Sequence, residues 1–276
     1  MLVVLAFLFV YPFWTLLLAS FSDALELQHI GLKIWNKTWT LEPYMWVFTD
    51  RSLVIGIGYV NTIFRTVAGT TLTLLVTLCA GYSLSKRHLP GRTYIMFFFV
   101  FTMFFGGGLI PTYLLVLRLG FLDSRWVYVI PTAANAFYVI IARNFLMAVD
   151  PAMEESALMD GASRTTVLFR IVAPLSKPMM AIIGLWTAVW HWNAWFDSLI
   201  YIKSPGKRVL QLILHKMRNL LENYREFEMY NLQLPIVIPP ESVQAVVVLI
   251  TIGPIVLVYP FAQRYFVRGI MLGAFR

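Results

Sequence analysis

Charged residues are scarce in this chain: they make up 13% of its 276 residues, whereas apolar residues make up 59%. A soluble domain of this size cannot bury so large an apolar fraction. The composition therefore excludes a soluble globular protein. It predicts an all-α, polytopic membrane protein.

Cysteine is almost absent as well. The single cysteine, Cys79, lies in an apolar stretch, which excludes a disulfide framework or a thiolate metal site within one chain. The four histidines are scattered and match neither a zinc-protease motif nor a catalytic triad. The phosphate-binding pattern G-x-x-x-x-G-K-[ST] does not occur. We therefore predict no catalytic residue, no metal site and no ATPase activity in this chain, and an intramembrane enzyme is the weaker hypothesis.

The chain contains several long apolar stretches with few charged residues. A spanning helix needs about 20 apolar residues, and six stretches approach that length. The first lacks a preceding basic region, so we interpret it as a retained helix rather than a signal peptide, and the sequence leaves open whether a short basic N-terminal tail is missing. Short connections predict one transmembrane domain over 1–276. The six predicted spans are 2–20, 59–85, 94–117, 126–147, 178–197 and 243–262.

Basic residues favour one orientation in the membrane. They crowd two short loops and the C-terminal tail, which predicts that these segments face the cytoplasm. The long loop at about 198–242 is also basic, but its charges are less dense. The net charge of +8 is ordinary for a protein beside anionic lipid, so no nucleic-acid partner is expected. The residues that favour the cytoplasmic side are Lys86, Arg87, Arg92, Arg164, Arg170, Lys177, Arg264, Arg268 and Arg276.

A polar, helix-forming segment interrupts the apolar pattern at about 148–177. Pro151 suits the first turn of a helix, where two glutamates follow at the positive end of the helix dipole. Gly161 permits a sharp turn, and Ser163 can cap a second helix that Pro174 ends. The pattern predicts two short helices at the membrane surface.

This segment resembles the cytoplasmic EAA loop, the coupling helix of bacterial ABC-importer permeases. The resemblance is carried by Glu155-Ser156-Ala157, then Gly161 after three residues, then Ile171 and Pro174. Ser156 stands where Ala is common, and Ala173 where Leu is common. The alternative is an amphipathic loop that only lies on the bilayer. The resemblance implies ATPase-coupling roles for Glu154, Glu155, Ala157, Asp160, Gly161, Ile171 and Pro174.

Other motifs are similar to the carbohydrate-uptake branch of these permeases, and the similarity covers nearly the whole chain. They are GYSLSK at 81–86, LPGR at 89–92, GGGLIPTYL at 106–114 and WNAWF at 192–196. The motif YFVRG at 265–269 is similar to the polysaccharide and oligosaccharide subgroup, which includes alginate and pectin-fragment importers.

The resemblance implies a type I importer in the bacterial cytoplasmic (inner) membrane that works by alternating access. Its other parts would be a second homologous permease, two cytoplasmic ABC ATPases that bind ATP and Mg²⁺, and an extracytoplasmic solute-binding protein that delivers an oligosaccharide. No cofactor is expected in this chain. Two alternatives stay open: an importer for another solute, and a stand-alone channel or secondary carrier.

The fifth predicted span carries candidate substrate-pathway residues. Trp186, Trp190, Asn193 and Asp197 follow helical steps of four, three and four, which predicts one shared face. Aromatic platforms with amide and carboxylate partners match the apolar face and hydroxyl rim of a sugar ring. The alternative is that the tryptophans anchor the helix at the membrane interface. We expect Asp197 at the water boundary.

Three further polar residues lie at predicted membrane depth. Asn135 and Tyr138 in the fourth span are expected to face the bundle interior, where Asn135 either lines the pathway or makes a structural hydrogen bond. Arg65 in the second span is expected to reach the outer headgroups with its long side chain.

The outer loop at about 198–242 contains a predicted amphipathic helix. Its excess of basic residues favours an acidic sugar such as a uronate oligomer, or a contact with the binding protein. The sequence leaves both open. The apolar residues at helical spacing are Leu210, Ile213, Leu214, Met217, Leu220 and Leu221.

The predicted orientation is tested by thiol labelling after Cys79 is replaced. Cysteines introduced at Lys86 and Arg164 should react only from the cytoplasmic side, and one at Lys216 only from outside. Labelling of the Arg164 and Lys216 positions from the same side would contradict the six-span topology.

Overall fold

A computed structural model describes residues 1–22, 34–49, 55–229, 241–254 and 256. All regular secondary structure in these ranges is helical, as predicted. The helices are α1 Leu2–Ser20, α2 Glu42–Thr49, α3 Ile55–Ser85, α4 Arg92–Phe104, α5 Leu109–Arg118, α6 Ala136–Met147, α7 Pro151–Met159, α8 Arg164–Leu175, α9 Lys177–Asn193, α10 Phe196–Tyr201, α11 Leu210–Met229 and α12 Glu241–Pro254.

The predicted spans fall on apolar helices. Within the described ranges, α3 alone is long and apolar enough to cross a membrane, and three bent helix pairs reach that length together: α4 with α5, α6 with α7, and α8 with α9. The helices α1 and α12 are apolar but shorter. The end of the sixth predicted span, the YFVRG motif and the basic C-terminal tail lie outside the described residues.

The third predicted span is a bent pair. Helix α4 ends at Phe104, α5 begins at Leu109, and the two axes differ by 117°. Gly108, just before α5, has a φ of +79°, a left-handed conformation that favours glycine. The glycine run therefore breaks the helix, as its sequence indicates.

The fourth predicted span begins ten residues late. The stretch 126–135 contains only a short 3₁₀ turn, Arg125–Tyr128, before α6 starts at Ala136. Pro131 offers no backbone N–H to a helix, and its ring disfavours helical geometry at the residue before it. The predicted helix was wrong here because the apolar composition of the segment hid this break.

The described residues form two compact units, one within Met1–Asn61 and Ser204–Leu257 and one within Thr62–Lys203. In the first unit, α11 buries Leu210, Ile213 and Met217 of the predicted apolar face, and Leu214 packs against them. The side chains of the last two residues of that face, 220 and 221, lie outside the described residues. Gly58 permits close packing against α11, since a Cβ at this position would lie 2.6 Å from Ile213 Cδ1. The core of this unit contains Val47, Ile55, Leu210, Ile213, Met217, Val243, Val246 and Val247.

The second unit is built around the inward face of α3. Leu78 packs in a cluster with residues of α6 and α8, while Leu74 packs against Ile183 of α9 and its neighbours. Gly81 lets α3 approach α6 closely, because a Cβ there would lie 2.8 Å from the Ala142 Cβ and 3.1 Å from the Arg143 backbone nitrogen.

Gly81→Ala is expected to destabilise the protein by about 1–3 kcal/mol, because the added methyl group forces α3 and α6 apart. Gly56→Ala is the matched control: it lies in the same helix, and a Cβ there meets nothing within 4 Å. Alanine favours a helix over glycine by about 1 kcal/mol, so Gly56→Ala should be neutral or stabilising. The thermal unfolding midpoint of the purified transporter measures both, and equal midpoints for the two variants would contradict the close packing.

Candidate functional site

The polar segment folds into the two predicted short helices. At the start of α7, the Asp150 carboxylate accepts a hydrogen bond from the Ala152 backbone nitrogen at 3.0 Å, and Pro151 takes the first helical position. This N-cap satisfies a backbone donor that the helix itself leaves unpaired. The first turn is therefore fixed by local sequence alone.

The turn after α7 depends on Gly161, which has a φ of +82°. The Gly161 N–H donates to the Leu158 carbonyl at 3.1 Å, and the Ala162 N–H donates to the Ala157 carbonyl at 3.0 Å. These two bonds form a Schellman motif, which ends a helix at a left-handed residue. Ser163 then caps α8 by accepting from the Thr166 N–H at 3.2 Å. The predicted turn and cap are confirmed.

The second helix ends one residue after Pro174, close to the end that the sequence predicted. The helix continues to Leu175 through a π turn at Leu168–Val172 and then bends by 80° into α9. A proline removes one backbone donor and crowds the carbonyl four residues earlier, and the wider π turn relieves that conflict. The half-buried Ile171 lies within this turn.

The two glutamates of the segment differ in their surroundings. The Glu154 carboxylate is mostly buried, pairs with the Lys86 ammonium and accepts a hydrogen bond from the Tyr82 hydroxyl at 3.0 Å. The Lys86 ammonium also lies 4.2 Å from the centre of the Tyr82 ring. Glu154 therefore fixes α7 to the end of α3, while Glu155 is exposed. Sequence reasoning missed this link, because Lys86 is 68 residues away along the chain.

The helix α7 has an inner and an outer face. Ala157 packs inward against a buried cluster that includes Leu78 and Val167. Met153, Leu158 and Met159 lie outward, with exposed fractions of 46%, 39% and 88%. Asp160, at the helix end, is also exposed. Met153, Leu158 and Met159 thus form an exposed apolar tip beside acidic side chains. The base of the segment is the part that Glu154 holds to the end of α3.

An open groove with a volume of about 480 Å³ lies along the end of α9. It brings together Trp186, Trp190 and Asn193, as their spacing predicted, and it adds Trp195 from beyond the helix end. The Tyr138 ring of α6 stacks on Trp186 with 6.3 Å between ring centres. The groove is lined by Leu185, Trp186, Val189, Trp190, Asn193, Ala194 and Trp195.

Asp197 does not continue this stripe, because α9 ends at Asn193 and Ala194 is extended. Its carboxylate accepts hydrogen bonds from Arg65 Nη1 at 3.0 Å and from Nη2 at 2.6 Å. The Arg65 side chain is fully buried. The expectation of a snorkelling Arg65 was therefore wrong. An internal partner satisfies the cation, so it has no need of the headgroups. The Asp197 side chain is 19% exposed, and its position at the water boundary stays a prediction.

Asn135 lies immediately before α6 rather than within a helix. Its side-chain oxygen accepts a hydrogen bond from the Tyr138 backbone N–H at 3.2 Å, which makes it the N-cap of α6. The structural alternative for Asn135 is thus observed. A role for Asn135 in substrate passage stays a prediction, as it does for the residues of the groove.

Comparisons with known proteins extend over nearly the whole chain. Protein LplC of Bacillus subtilis (strain 168) is 38% identical over 96% of this chain and 88% of its own. The polygalacturonan/rhamnogalacturonan transport system permease protein YtcP of the same organism is 34% identical over 99% and 94%. A solved bacterial ABC transporter involved in the import of the acidic polysaccharide alginate matches with a TM-score of 0.85 and 30% identity over 96% and 93%. No family model matches.

The fold, the EAA-like segment and these similarities agree. The names of YtcP and of the solved transporter describe a transport system permease and an ABC transporter for polysaccharides, and the relatives support a multi-pass protein of the bacterial inner membrane. This chain belongs to the carbohydrate-uptake family of ABC-importer permease subunits.

Proposed function

We propose that this permease and a second homologous permease form the pathway for an acidic oligosaccharide, such as a uronate oligomer. Two relatives carry names that refer to polygalacturonan with rhamnogalacturonan and to alginate. These polymers share carboxylate-bearing sugar rings, and the outer loop of this chain is rich in Lys and Arg. Uptake measured in competition between oligogalacturonate and a neutral oligosaccharide of equal length tests the choice of substrate.

The second part of the proposal concerns energy. ATP and Mg²⁺ bind to two partner ATPases, and α7 receives their motion. The observation that carries this role is the architecture of the α7 segment. An exposed tip with Met153, Leu158 and Met159 stands on a base that Glu154 and Lys86 pair to the end of α3. A surface held so firmly at its base can pass on a displacement of its tip.

A stand-alone channel or secondary carrier is the alternative from another class. It would leave the exposed tip of α7 without a partner and would transport without ATP. Co-purification decides between them: an ATPase that remains bound to the permease through purification supports the importer. Uptake by the permease alone, without ATP, would contradict it.

The groove is proposed to guide the sugar. Trp186, Trp190 and Trp195 offer aromatic faces to the C–H face of a sugar ring, and the Asn193 amide can meet its hydroxyl rim. Arg65, a buried cation beside the Trp190 ring, is neutralised by Asp197. Stacking rather than charge pairing therefore dominates in the groove. The sugar carboxylates would be met elsewhere, by the outer basic residues or by the solute-binding protein.

Gly161→Val is expected to abolish substrate-stimulated ATP hydrolysis in the assembled transporter while the chain still inserts. A β-branched residue at a φ of +82° costs about 1–3 kcal/mol and breaks the Schellman turn that holds the tip. The rate of ATP hydrolysis with and without loaded binding protein measures the effect.

Gly120→Val is the matched control for this test. Gly120 has a similar φ of +72°, and a Cβ there also meets nothing within 4 Å, but it lies outside the α7 segment. This variant should keep its stimulated hydrolysis. Normal stimulation of ATP hydrolysis in Gly161→Val, or an equal loss of stimulation in Gly120→Val, would contradict the coupling role of the α7 segment.

Trp190→Ala is expected to lower oligosaccharide uptake per assembled transporter about fivefold or more, since a stacking contact with a ring is worth roughly 1 kcal/mol. If Trp190 is instead an interfacial anchor, the change should lower the amount of inserted protein and leave uptake per transporter intact. Uptake normalised to assembled transporter separates the two. Trp126→Ala is a control at a similarly exposed tryptophan that does not line the groove.

A further inference from the structure

The break between α9 and α10 has an unusual support. Ala194 is extended, with φ −74° and ψ 131°, and its N–H closes the last turn of α9 by donating to the Trp190 carbonyl at 3.0 Å. Neither glycine nor proline occurs at 193–197 to cause the break. The Ala194 carbonyl points away from a helical partner, and a carbonyl at a helix end needs another donor. That donor is Arg65 Nη1, at 2.9 Å.

One guanidinium therefore bridges both sides of the break. Arg65 Nη1 donates to the Ala194 carbonyl and to Asp197 Oδ1, and Nη2 donates to Asp197 Oδ2. Asp197 Oδ1 also accepts from the Ser198 backbone N–H at 2.8 Å, which places the carboxylate at the first turn of α10. The planar fork of arginine suits these three acceptors, because its donors have fixed directions.

Aromatic rings enclose this bridge. The Arg65 guanidinium carbon lies 4.8 Å from the centre of the Tyr128 ring and 5.8 Å from that of Trp190. The Tyr128 hydroxyl shares a hydrogen bond of 2.8 Å with the Ser198 hydroxyl, and both residues are fully buried. Trp190 thus contacts the cation while it also lines the groove.

We propose that Arg65 is a positioning residue for transport. By holding Ala194 and Asp197 together, it fixes the angle between α9 and α10 and so sets the separation of Trp190 and Trp195 across the groove. The consequence for sugar passage rests on the proposed role of the groove. The positioning of Ala194 and Asp197 by Arg65 does not depend on that role.

The variant Arg65→Lys tests the geometry of the fork. Lysine keeps the charge and can pair with Asp197, but a single ammonium cannot reproduce the planar set of three bonds. In a chain with Cys79→Ser, one cysteine reporter replaces Phe196 after the break and another replaces Ala188, which lies before the break and does not line the groove. Phe196 is 49% exposed, and Ala188 is partly exposed. Thiol labelling of the assembled transporter then reports on each side of the break separately.

Arg65→Lys should raise the labelling rate at position 196 about tenfold, equivalent to about 1.4 kcal/mol, and leave the labelling rate at position 188 unchanged. With oligogalacturonate as the probe, the concentration for half-maximal uptake should rise, while the amount of assembled transporter stays constant. If Arg65 serves only to neutralise Asp197, lysine replaces it fully. Wild-type labelling at both reporters, or an equal rise at both, would overturn the proposal.

Two outcomes separate positioning from sugar passage. Faster labelling at position 196 with an unchanged half-maximal concentration supports the positioning role and contradicts the role of the groove. Should Arg65→Lys not assemble, the double variant Arg65→Gln/Asp197→Asn removes both charges of the pair and leaves a polar side chain at each position. Because the amides that replace the pair stay polar but cannot make the charged fork, this variant should show the same selective rise at position 196, and wild-type labelling there would refute the role of Arg65.

Discussion

A fully buried arginine imposes a strict condition on the second unit. An unpaired cation inside a protein costs several kcal/mol, and removing one partner of a buried pair costs about 3–5 kcal/mol. Arg65 must therefore meet acceptors within the protein, and the acceptors it meets are the Asp197 carboxylate and the Ala194 carbonyl. The end of α9 and the start of α10 supply these acceptors, and the Tyr128 ring lies against the guanidinium.

In apolar surroundings, backbone N–H and C=O groups also need partners within the protein. In hydrocarbon each unpaired N–H or C=O is costly, so a chain of this composition forms helices and caps their ends. The caps described above have local origins: Asp150, Ser163 and Asn135 each accept from a backbone N–H two or three residues on. Gly161 completes the turn between two of these helices. Such features can be predicted from sequence because both partners lie within a few residues.

The features that sequence reasoning missed depend on distant partners. The break at Ala194 has no glycine or proline signal, and its arginine is 129 residues away. Glu154 was predicted to be a coupling residue, but its pairing with Lys86, 68 residues away, was not predicted. Helix α6 starts later than predicted because Pro131 disrupts helical geometry in the segment before it. The prediction relied on the apolar composition of that segment and overlooked this proline. Periodicity correctly grouped Trp186, Trp190 and Asn193 and failed only where the helix ended.

The two ion pairs described above each have a partner on α3 or beside it, Arg65 in its first half and Lys86 immediately after its last residue. No proline lies between them, so the rise per residue separates the two by roughly 31 Å along a single rod. Each residue advances a helix by about 100°. A rotation of α3 by about 100° about its axis would therefore separate both Arg65 and Lys86 from their acidic partners. The helix α3 can tilt about either ion pair but cannot easily rotate about its own axis. A movement transmitted along α3 therefore keeps each of its side chains facing the same direction around that axis.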